Sequence, residues 1–349
     1  MSKALSIAAL AATCLFSSTA ASEAQEKKVR MQVASAFPGS LVLLGPAGVY
    51  LADTMRKLSA GTIDAKFFEP GALVPASQYL DALSNGSLDS AYSAAGFFTG
   101  KEIAFALYNT VPFGPEISEY LGWFKTGGGQ KLFDELMAKY KVKAFLCGIV
   151  PPEASGWFRK EIKGVDELKG VKMRFFGLGA NVMQKLGVAT QLLQAGEIFQ
   201  ALQLGTIDAT EYSAPALDRS LGFHQVAKHY YFPGWHQMAS IPHYMISMDR
   251  WNSLSELQKE IVRVSCDSTM MKMLAEGEGD QVPAIKDFQS KGVTIHVWSK
   301  EVMDALRKAW AEVVAEQSAK SPEFKKGWES LEAFRQQYKI WKDLAYIKD

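Results

Sequence analysis

Short apolar runs alternate with amphipathic helical patterns between residues 29 and 317. The runs are rich in β-branched and aromatic residues, and they predict strands at 29–34, 63–68, 88–93, 143–150, 171–176, 207–212, 244–248 and 293–298. Apolar residues at helical spacing predict helices at 46–59, 76–85, 130–140, 196–204, 255–290 (with a break near Pro283) and 300–317. This alternation indicates an α/β protein with largely parallel sheets.

Two segments of the chain resemble each other. Residues 81–90 and 200–209 each contain a helix end, a glycine and the start of a strand. Glycine commonly ends a helix, so every junction of this kind has a similar pattern. The alternative interpretation is two similar α/β lobes, each with its own sheet. Small molecules would then bind between the lobes, beyond the carboxyl ends of the strands.

Residues 323–349 form an amphipathic segment. Large apolar side chains recur there at helical spacing, namely Phe324, Trp328, Leu331, Phe334, Tyr338, Trp341 and Leu344. Such a stripe needs an apolar surface to cover, either on the chain's own lobe or on a second chain. Packing on its own lobe is the preferred interpretation.

The first 24 residues have the three-part pattern of a secretory signal peptide. Lys3 is followed by an apolar run at 4–16 and by small residues at 17–24. This pattern predicts export to the periplasm. No later segment reaches the roughly 18 to 20 continuous apolar residues of a membrane helix.

Composition narrows the class of protein further. The 38 basic and 37 acidic residues nearly balance, so neither nucleic acid nor an anionic membrane surface is indicated as a partner. A length of 349 residues predicts about two domains. Cys14 would leave with the signal peptide, whereas Cys147 lies in an apolar run and Cys266 in a helical stretch. We predict that these two remain buried single thiols rather than forming a bridge.

Arg174 is the first candidate for binding chemistry. It is followed by two aromatic residues at the end of a predicted strand, just before a glycine turn and a helix-like stretch. Its planar guanidinium fits two carboxylate oxygens at once. Two glutamates also lie at predicted strand ends, Glu153 after Pro151 and Pro152, and Glu211 before Tyr212. An arbitrary glutamate is usually solvated, but proline and aromatic neighbours favour a ligand site here.

Other chemistry is poorly supported. Gly177 and Gly179 follow a strand as in a dinucleotide-binding loop, but the third glycine is missing and the chain is predicted to be exported. The sequence has no His-Glu-x-x-His or Cys-x-x-Cys zinc motif, and no Gly-x-Ser-x-Gly elbow. Buried or cleft-lining imidazoles are therefore the interpretation of the histidine-rich segment, whose members are His224, His229, His236 and His243.

Four motifs together resemble a known family. They are Glu-Ala-Ser-Gly-Trp-Phe-Arg-Lys-Glu-Ile at 153–162, Leu-Lys-Gly-Val-Lys-Met-Arg at 168–174, Asp-Ala-Thr-Glu-Tyr at 208–212 and Tyr-Tyr-Phe-Pro-Gly-Trp at 230–235. From about residue 29 onward the chain resembles the solute-binding proteins of tripartite ATP-independent periplasmic (TRAP) transporters, the DctP family. Within that family it resembles the branch that binds 2-oxo acids such as pyruvate, with relatives that bind lactate.

The resemblance implies an α/β fold like that of periplasmic binding proteins. Two lobes would enclose a cleft, with a long connecting helix and C-terminal helices. We expect lobe I at 25–151 and 241–282, lobe II at 152–240 and 283–315, and a helical tail at 316–349. Members of this branch can dimerise through C-terminal helices, so a homodimer is a further expectation.

The same resemblance implies roles for five residues. Arg174 matches the arginine that holds the ligand carboxylate, and Glu211 and Tyr212 match a glutamate and an aromatic residue that hold a metal ion. Glu153 and Gln237 match two further positions that contact ligand and ion. In the oxo-acid binders these two positions carry Gln and Glu, and Tyr212 is Trp. Aromatic residues are expected to wall the cleft, namely Phe37, Tyr92, Phe97, Phe175 and Trp235.

Charge balance supports the ion independently. Arg174, Glu153, Glu211 and a monocarboxylate in one closed cleft would sum to a net charge of about minus two, which is costly to bury. A divalent cation would bring the sum to zero and sodium to minus one. Carboxylates and the oxygens of a 2-oxo or 2-hydroxy acid suit calcium, so calcium is slightly favoured over sodium.

The expected function is therefore capture of a small monocarboxylate for delivery to TRAP membrane subunits, without catalysis. The alternative from another class is a secreted two-lobed α/β enzyme that acts on a small carboxylic acid. A third alternative is a sensing or structural partner protein, for which the C-terminal stripe would matter more than the cleft.

Overall fold

The structure is a computed structural model that describes residues 26–347. The predicted signal peptide, residues 1–24, lies outside the described residues. Within them the chain forms two lobes, each built on one β-sheet with helices packed around it. Residues 26–347 contain no helix with the length and apolar character needed to cross a membrane.

The chain visits the two lobes in turn. Lobe I begins with β1 (Val29–Ser35), α1 (Leu44–Leu58), β2 (Ile63–Phe68), α2 (Tyr79–Ser84), β3 (Ser90–Ser93), α3 (Ile117–Thr126), α4 (Gly129–Ala138) and β4 (Val142–Leu146). Lobe II follows with β5 (Gly156–Phe158), β6 (Lys172–Arg174), α5 (Gly177–Lys185), β7 (Ala189–Gln191), α6 (Ala195–Leu204), β8 (Ala209–Thr210), α7 (Pro215–Leu221) and β9 (His229–Phe232). The remaining elements are β10 (His243–Ser247), α8 (Met248–Asn252), α9 (Glu256–Gly279), α10 (Gln281–Ser290), β11 (Thr294–Val297), α11 (Lys300–Lys320) and α12 (Pro322–Ala345).

The sheet of lobe I has the strand order β2-β1-β3-β10-β4 among the described residues. β1 buries Val29, Met31 and Val33 and exposes Arg30, as the alternation of a strand requires. It pairs in parallel with β2 and β3, whereas β10 runs antiparallel to β3 and β4. The inner strands β3 and β10 are buried along their whole length. Both faces of the sheet are therefore covered at these two strands.

The sheet of lobe II has the order β11-β9-β5-β8-β6-β7 in the described chain. β5 is antiparallel to β8 and β9, while β6 is parallel to β7 and β8, and β9 is parallel to β11. In each sheet the described strands therefore run in one direction except for the first strand after a lobe crossing, β5 or β10. The prediction of largely parallel sheets is confirmed in this sense, and the shared carboxyl ends face the cleft.

Two crossing segments and one long helix connect the lobes. Val150 and Ser240 exchange backbone hydrogen bonds of 2.9 and 3.3 Å where the crossings lie side by side. α9 begins at a capping box formed by Ser255 and Gln258 and packs on α1 and β4. The helix breaks at Asp280, three residues before Pro283, and α10 then packs on α7 of lobe II. The predicted break near Pro283 is therefore confirmed.

The C-terminal helices divide between the lobes. α11 packs on α5 of lobe II, and α12 packs on α3 and α4 of lobe I. Phe324 and Leu331 are fully buried in this contact. Farther along α12, Trp341 and Leu344 are 60% and 82% exposed. The stripe thus covers its own lobe in its first half and leaves apolar surface exposed in its second half.

Cys147 and Cys266 form a disulfide, so the prediction of two free thiols was wrong. Cys147 directly follows β4 and Cys266 lies within α9, and packing of this helix on the strand brings the two Cα atoms to 4.3 Å. A separation of 119 residues hides this proximity in the sequence. The bond fixes the start of the first crossing to the long helix, and an oxidising exported location favours it.

Replacing both cysteines by serine should lower the free energy of unfolding by about 2–5 kcal/mol, because the bond closes a long loop in the unfolded chain. Denaturant unfolding without reductant measures this difference. Dithiothreitol should bring the wild-type midpoint to that of C147S/C266S and leave the double variant unchanged. An unchanged midpoint in wild type that thiol titration shows to be fully reduced would contradict a stabilising role.

Candidate ligand and metal site

Arg174 ends β6 and is buried, with 2% of its surface exposed. Its Nη1 donates to the backbone oxygen and to Oε1 of Glu211 at 2.7 and 2.9 Å, and its Nε donates to the Leu193 carbonyl at 3.3 Å. The guanidinium lies 5.0 Å from the centre of the Tyr212 ring. Within residues 26–347 no protein atom accepts a hydrogen bond from Nη2. This arm of the guanidinium is therefore available to a ligand.

Glu211 follows β8, the neighbour of β6, and is fully buried. Its Oε1 accepts from Arg174 and from the backbone N–H of Phe176. Burial opposes the charge, but Arg174 and His236 outweigh it and lower the pKa of Glu211. Glu211 is therefore ionised, and its Oε2 has no hydrogen-bond partner in the described part of the chain.

Glu153 lies on the first crossing, just before β5, and is 4% exposed. Its Oε1 accepts from Ser213 Oγ at 3.2 Å, and its Oε2 accepts a short hydrogen bond from Gln237 Nε2. Its backbone N–H donates to the Gln237 carbonyl at 3.1 Å. This approach requires Gly234, since a Cβ there would lie 2.0 Å from the Glu153 carbonyl oxygen. Burial raises the pKa of Glu153 to about 7, although His236 opposes the shift.

His236 is the functional residue that sequence reasoning missed as a metal candidate. Its Nε2 lies 3.7 Å from Glu153 Oε2 and 3.5 Å from Glu211 Oε2, which are ion-pair rather than hydrogen-bond distances. Burial lowers the pKa of His236, but the two glutamates outweigh burial and raise it to about 9. The signal available in the sequence was its position directly before Gln237, in a segment already predicted to line the cleft.

Glu153, Glu211 and His236 can direct one ligand atom each to a common point, with these atoms within 4.8 Å of one another. Glu211 Oε2 and both ring nitrogens of His236 are buried and lack a hydrogen-bond partner among the described residues. Orphaned buried polar atoms are costly, and a cation between them would satisfy carboxylate and imidazole together. The residues present therefore fit a metal ion, with His236 added to the predicted ligands.

The other two predicted metal ligands, Gln237 and Tyr212, contact Glu153 and Arg174 and are not part of the cluster of Glu153, Glu211 and His236. Gln237 is held by its hydrogen bond to Glu153. Tyr212 is half-buried and supports the Arg174 guanidinium with its ring. Behind them, Asp218 accepts from Trp157, Tyr230 and the backbone of Ser213, and so fixes the residue whose hydroxyl donates to Glu153.

A cavity of about 50 Å³ lies beside these groups. Both lobes line it, through Phe37, Leu44, Ala94, Phe97, Asn109, Val150, Glu153, Arg174, Phe176, Tyr212, Ser213, Gln237, Ser240 and Pro242. This volume is well below the usual range of small-molecule sites, so the cavity suits only a very small ligand. The lining combines one polar wall in lobe II with an apolar wall mostly from lobe I.

Two of the five predicted aromatic wall residues, Phe37 and Phe97, line the cavity. Tyr92 packs behind Phe37, with their ring centres 5.8 Å apart. Phe175 and Trp235 contact each other and His236 outside the cavity lining. The position of Phe175 follows from strand alternation, because Arg174 and Phe176 face the cavity and the residue between them faces away.

The chain is similar to known proteins over most of its length. The family model for bacterial extracellular solute-binding protein, family 7 (DctP), matches residues 38–321. A monocarboxylate 2-oxoacid-binding periplasmic protein of Nostoc sp. is 32% identical over 334 residues, which cover 94% of this chain and 90% of that protein.

Two solved structures are similar across nearly the whole fold. A TRAP transporter solute-binding protein from Bordetella bronchiseptica, a mixed-occupancy dimer with copurified calcium and picolinate, superposes with a TM-score of 0.89 at 32% identity, covering 92% of this chain and 95% of that one. A TRAP periplasmic solute-binding protein from Pseudoalteromonas atlantica, with bound sodium and pyruvate, gives 0.88 at 30% identity, covering 91% and 97%. These relatives are transport proteins rather than enzymes. The chain belongs to the DctP family and is a solute-binding protein of a TRAP transporter.

Proposed function

We propose that this protein captures a small monocarboxylate, a 2-oxo or 2-hydroxy acid such as pyruvate or lactate, in the periplasm and delivers it to TRAP membrane subunits. The observation that carries the proposal is the uncommitted Nη2 of Arg174 at the wall of a small cavity shared by two lobes. The 2-oxoacid binder of Nostoc and the pyruvate-bound relative support the class of ligand.

The ligand carboxylate binds the free arm of Arg174 in this proposal. Because Nη1 already holds Glu211, the contact uses one arm rather than the full fork expected from sequence. The short alkyl end of the acid then lies against Phe37, Phe97 and Phe176. Excluding water there strengthens the charge pairing.

A bridging metal ion balances the charges. Glu153, Glu211 and His236 would hold it, with Gln237 and Tyr212 next to them. Its chemistry would be to neutralise the carboxylates and to bind the ligand's carboxylate and 2-oxygen. A bound ion would displace the proton that the raised pKa of His236 otherwise keeps on its ring. With His236 neutral, Arg174, two glutamates and the ligand sum to about minus two, which calcium would bring to zero and sodium to about minus one. Calcium is favoured slightly, and the calcium-bound and sodium-bound relatives support either ion.

Ligand capture is proposed to proceed by lobe closure. We assign 25–151 and 241–282 to lobe I, 152–240 and 283–315 to lobe II, and 316–349 to the tail, although α11 continues to Lys320. A ligand inside the cavity touches both lobes, since Phe37 and Arg174 belong to different ones. It therefore favours the closed state over the open state.

Replacing Arg174 by alanine should weaken pyruvate or lactate binding by about 2–5 kcal/mol, because the carboxylate would be buried without its partner. Isothermal titration calorimetry in calcium-containing buffer measures the loss. The matched control is R159A, an exposed arginine of the same lobe, which should bind like wild type. Binding by folded R174A within threefold of wild type would show that the pocket is misplaced.

Removing the ion should abolish most of the thermal stabilisation that pyruvate or lactate gives. Thermal unfolding with and without EGTA, at several sodium concentrations, checks this expectation. E153Q removes one carboxylate, so the remaining charges sum to about minus one with ligand bound, and its stabilisation should depend on sodium rather than calcium. The absence of any chelator or sodium effect in wild type would refute the ion.

The exposed end of α12 is proposed to pair with a second copy of the chain, since Trp341 and Leu344 leave apolar surface uncovered. Light scattering should give the mass of a dimer for the full mature chain and of a monomer for a variant that ends at residue 339. Equal masses per chain for the two proteins would assign this surface another role.

A further inference from the structure

Phe113 adopts a backbone conformation that is unusual for its residue type. Its φ of 50° lies in the left-handed region, which is strained for a bulky residue. Its N–H donates to the Trp235 carbonyl at 2.7 Å, and its own carbonyl accepts from Arg335 Nη2 at 3.1 Å. Contacts on both sides of the residue hold the strained backbone in place.

The Phe113 ring is enclosed by two further groups. On one side it stacks with Trp235, with ring centres 5.6 Å apart and an angle of 27° between the planes. The guanidinium of Arg307 lies 4.4 Å from the ring centre. Arg307 is exposed, and no carboxylate pairs with it within residues 26–347. An exposed arginine without an acidic partner is placed here by the aromatic ring alone.

Phe113, Arg307 and Arg335 lie on different parts of the two-lobed fold. Phe113 precedes α3 in lobe I, whereas Arg307 is on α11, which packs on α5 of lobe II. Arg335 is on α12, which packs on lobe I. The contact between Arg307 and Phe113 therefore joins the two lobes, whereas the contact between Arg335 and Phe113 lies within one lobe.

Trp235 connects this contact to the binding site. It directly precedes His236 and Gln237, and its ring centre lies 5.4 Å from that of His236. It also lies 5.9 Å from the ring of Phe175, the residue after Arg174. A change in the position of Phe113 would therefore act on both sides of the proposed ligand and ion site.

We propose that Phe113 and Arg307 form an interlobe latch that prolongs the closed, loaded state and so sets the rate of ligand release. Arg307 is proposed to move with lobe II through the packing of α11 on α5, so that opening would separate it from Phe113. Phe113 belongs to lobe I, where Arg335 binds its carbonyl, and its N–H and ring also contact Trp235 of lobe II. Both are positioning residues that do not touch the ligand. The inference rests on the proposed function, which supplies the ligand to be released.

Stopped-flow release of pyruvate or lactate, followed by tryptophan fluorescence with calcium present, tests the latch. R307A should release ligand about two- to fivefold faster than wild type, the size expected for losing one exposed cation–π contact. Its association rate should stay within about 1.5-fold, because the open state lacks the contact. The matched control is K308A, which removes the neighbouring exposed charge on α11 and should leave release unchanged.

F113G separates the ring from the strained backbone. Glycine accepts the positive φ and keeps both backbone hydrogen bonds, but it removes the ring. F113G should accelerate release at least as much as R307A, because it also removes the ring that stacks on Trp235. F113G/R307A should be no faster than F113G, because the ring that Arg307 contacts is already gone. Ligand-free R307A should melt at the wild-type temperature, which separates a latch from a general loss of stability.

The possible failures are distinguishable. If wild type binds none of these acids with calcium or sodium, the proposed function is wrong and the latch falls with it. If wild type binds but R307A releases at the wild-type rate, the latch alone is wrong. Additive effects of F113G and R307A, or faster release by K308A, would also overturn it.

Discussion

The ion pair between Arg174 and Glu211 buries both charges at the ends of neighbouring strands, with 2.9 Å between Nη1 and Oε1. Such a pair loses hydration that Coulomb attraction alone does not restore, so it persists only where further hydrogen bonds support it. The Phe176 amide and the Leu193 carbonyl supply them. This support leaves one arm of the guanidinium and one carboxylate oxygen without a hydrogen-bond partner among the described residues, and both are available to the proposed ligand and ion.

Glu153 and His236 add two more ionisable groups to the buried pair of Arg174 and Glu211. Two carboxylates that share a buried site repel each other, which contributes to the raised pKa of Glu153, and His236 lies between them with a pKa raised to about 9. A positive charge at this point is thus an electrostatic requirement of the site. Protonated His236 supplies this charge in the absence of an ion, and the relatives from Bordetella and Pseudoalteromonas bind a cation.

Local patterns in the sequence were enough for most of the fold but only part of the site. The strand ends at Arg174 and Glu211 could be found because apolar runs stop there, and the carboxyl ends of parallel strands meet at one edge. His236 could not be identified, because its partners lie on two other segments. The disulfide depends on packing of α9 on β4, which no local pattern encodes. The wall position of Phe175 could have been rejected from strand alternation, since Arg174 was already assigned to the cleft.

The position of the site on the crossings has a mechanical consequence. Each sheet has one reversed strand, β5 or β10, because the chain enters that sheet from the cleft side. The segments before these strands carry Glu153 on one crossing and His236 and Gln237 on the other. Gly234 brings the two crossings into backbone contact, so Glu153, His236 and Gln237 form one unit of lobe II that faces the apolar wall of lobe I. In the proposed closure the lobe I wall with Phe37 and Phe97 would approach this unit, so affinity for the ligand would be coupled to the lobe angle. A contact remote from the cavity, such as the proposed latch between Arg307 and Phe113, would then act on binding without touching the ligand.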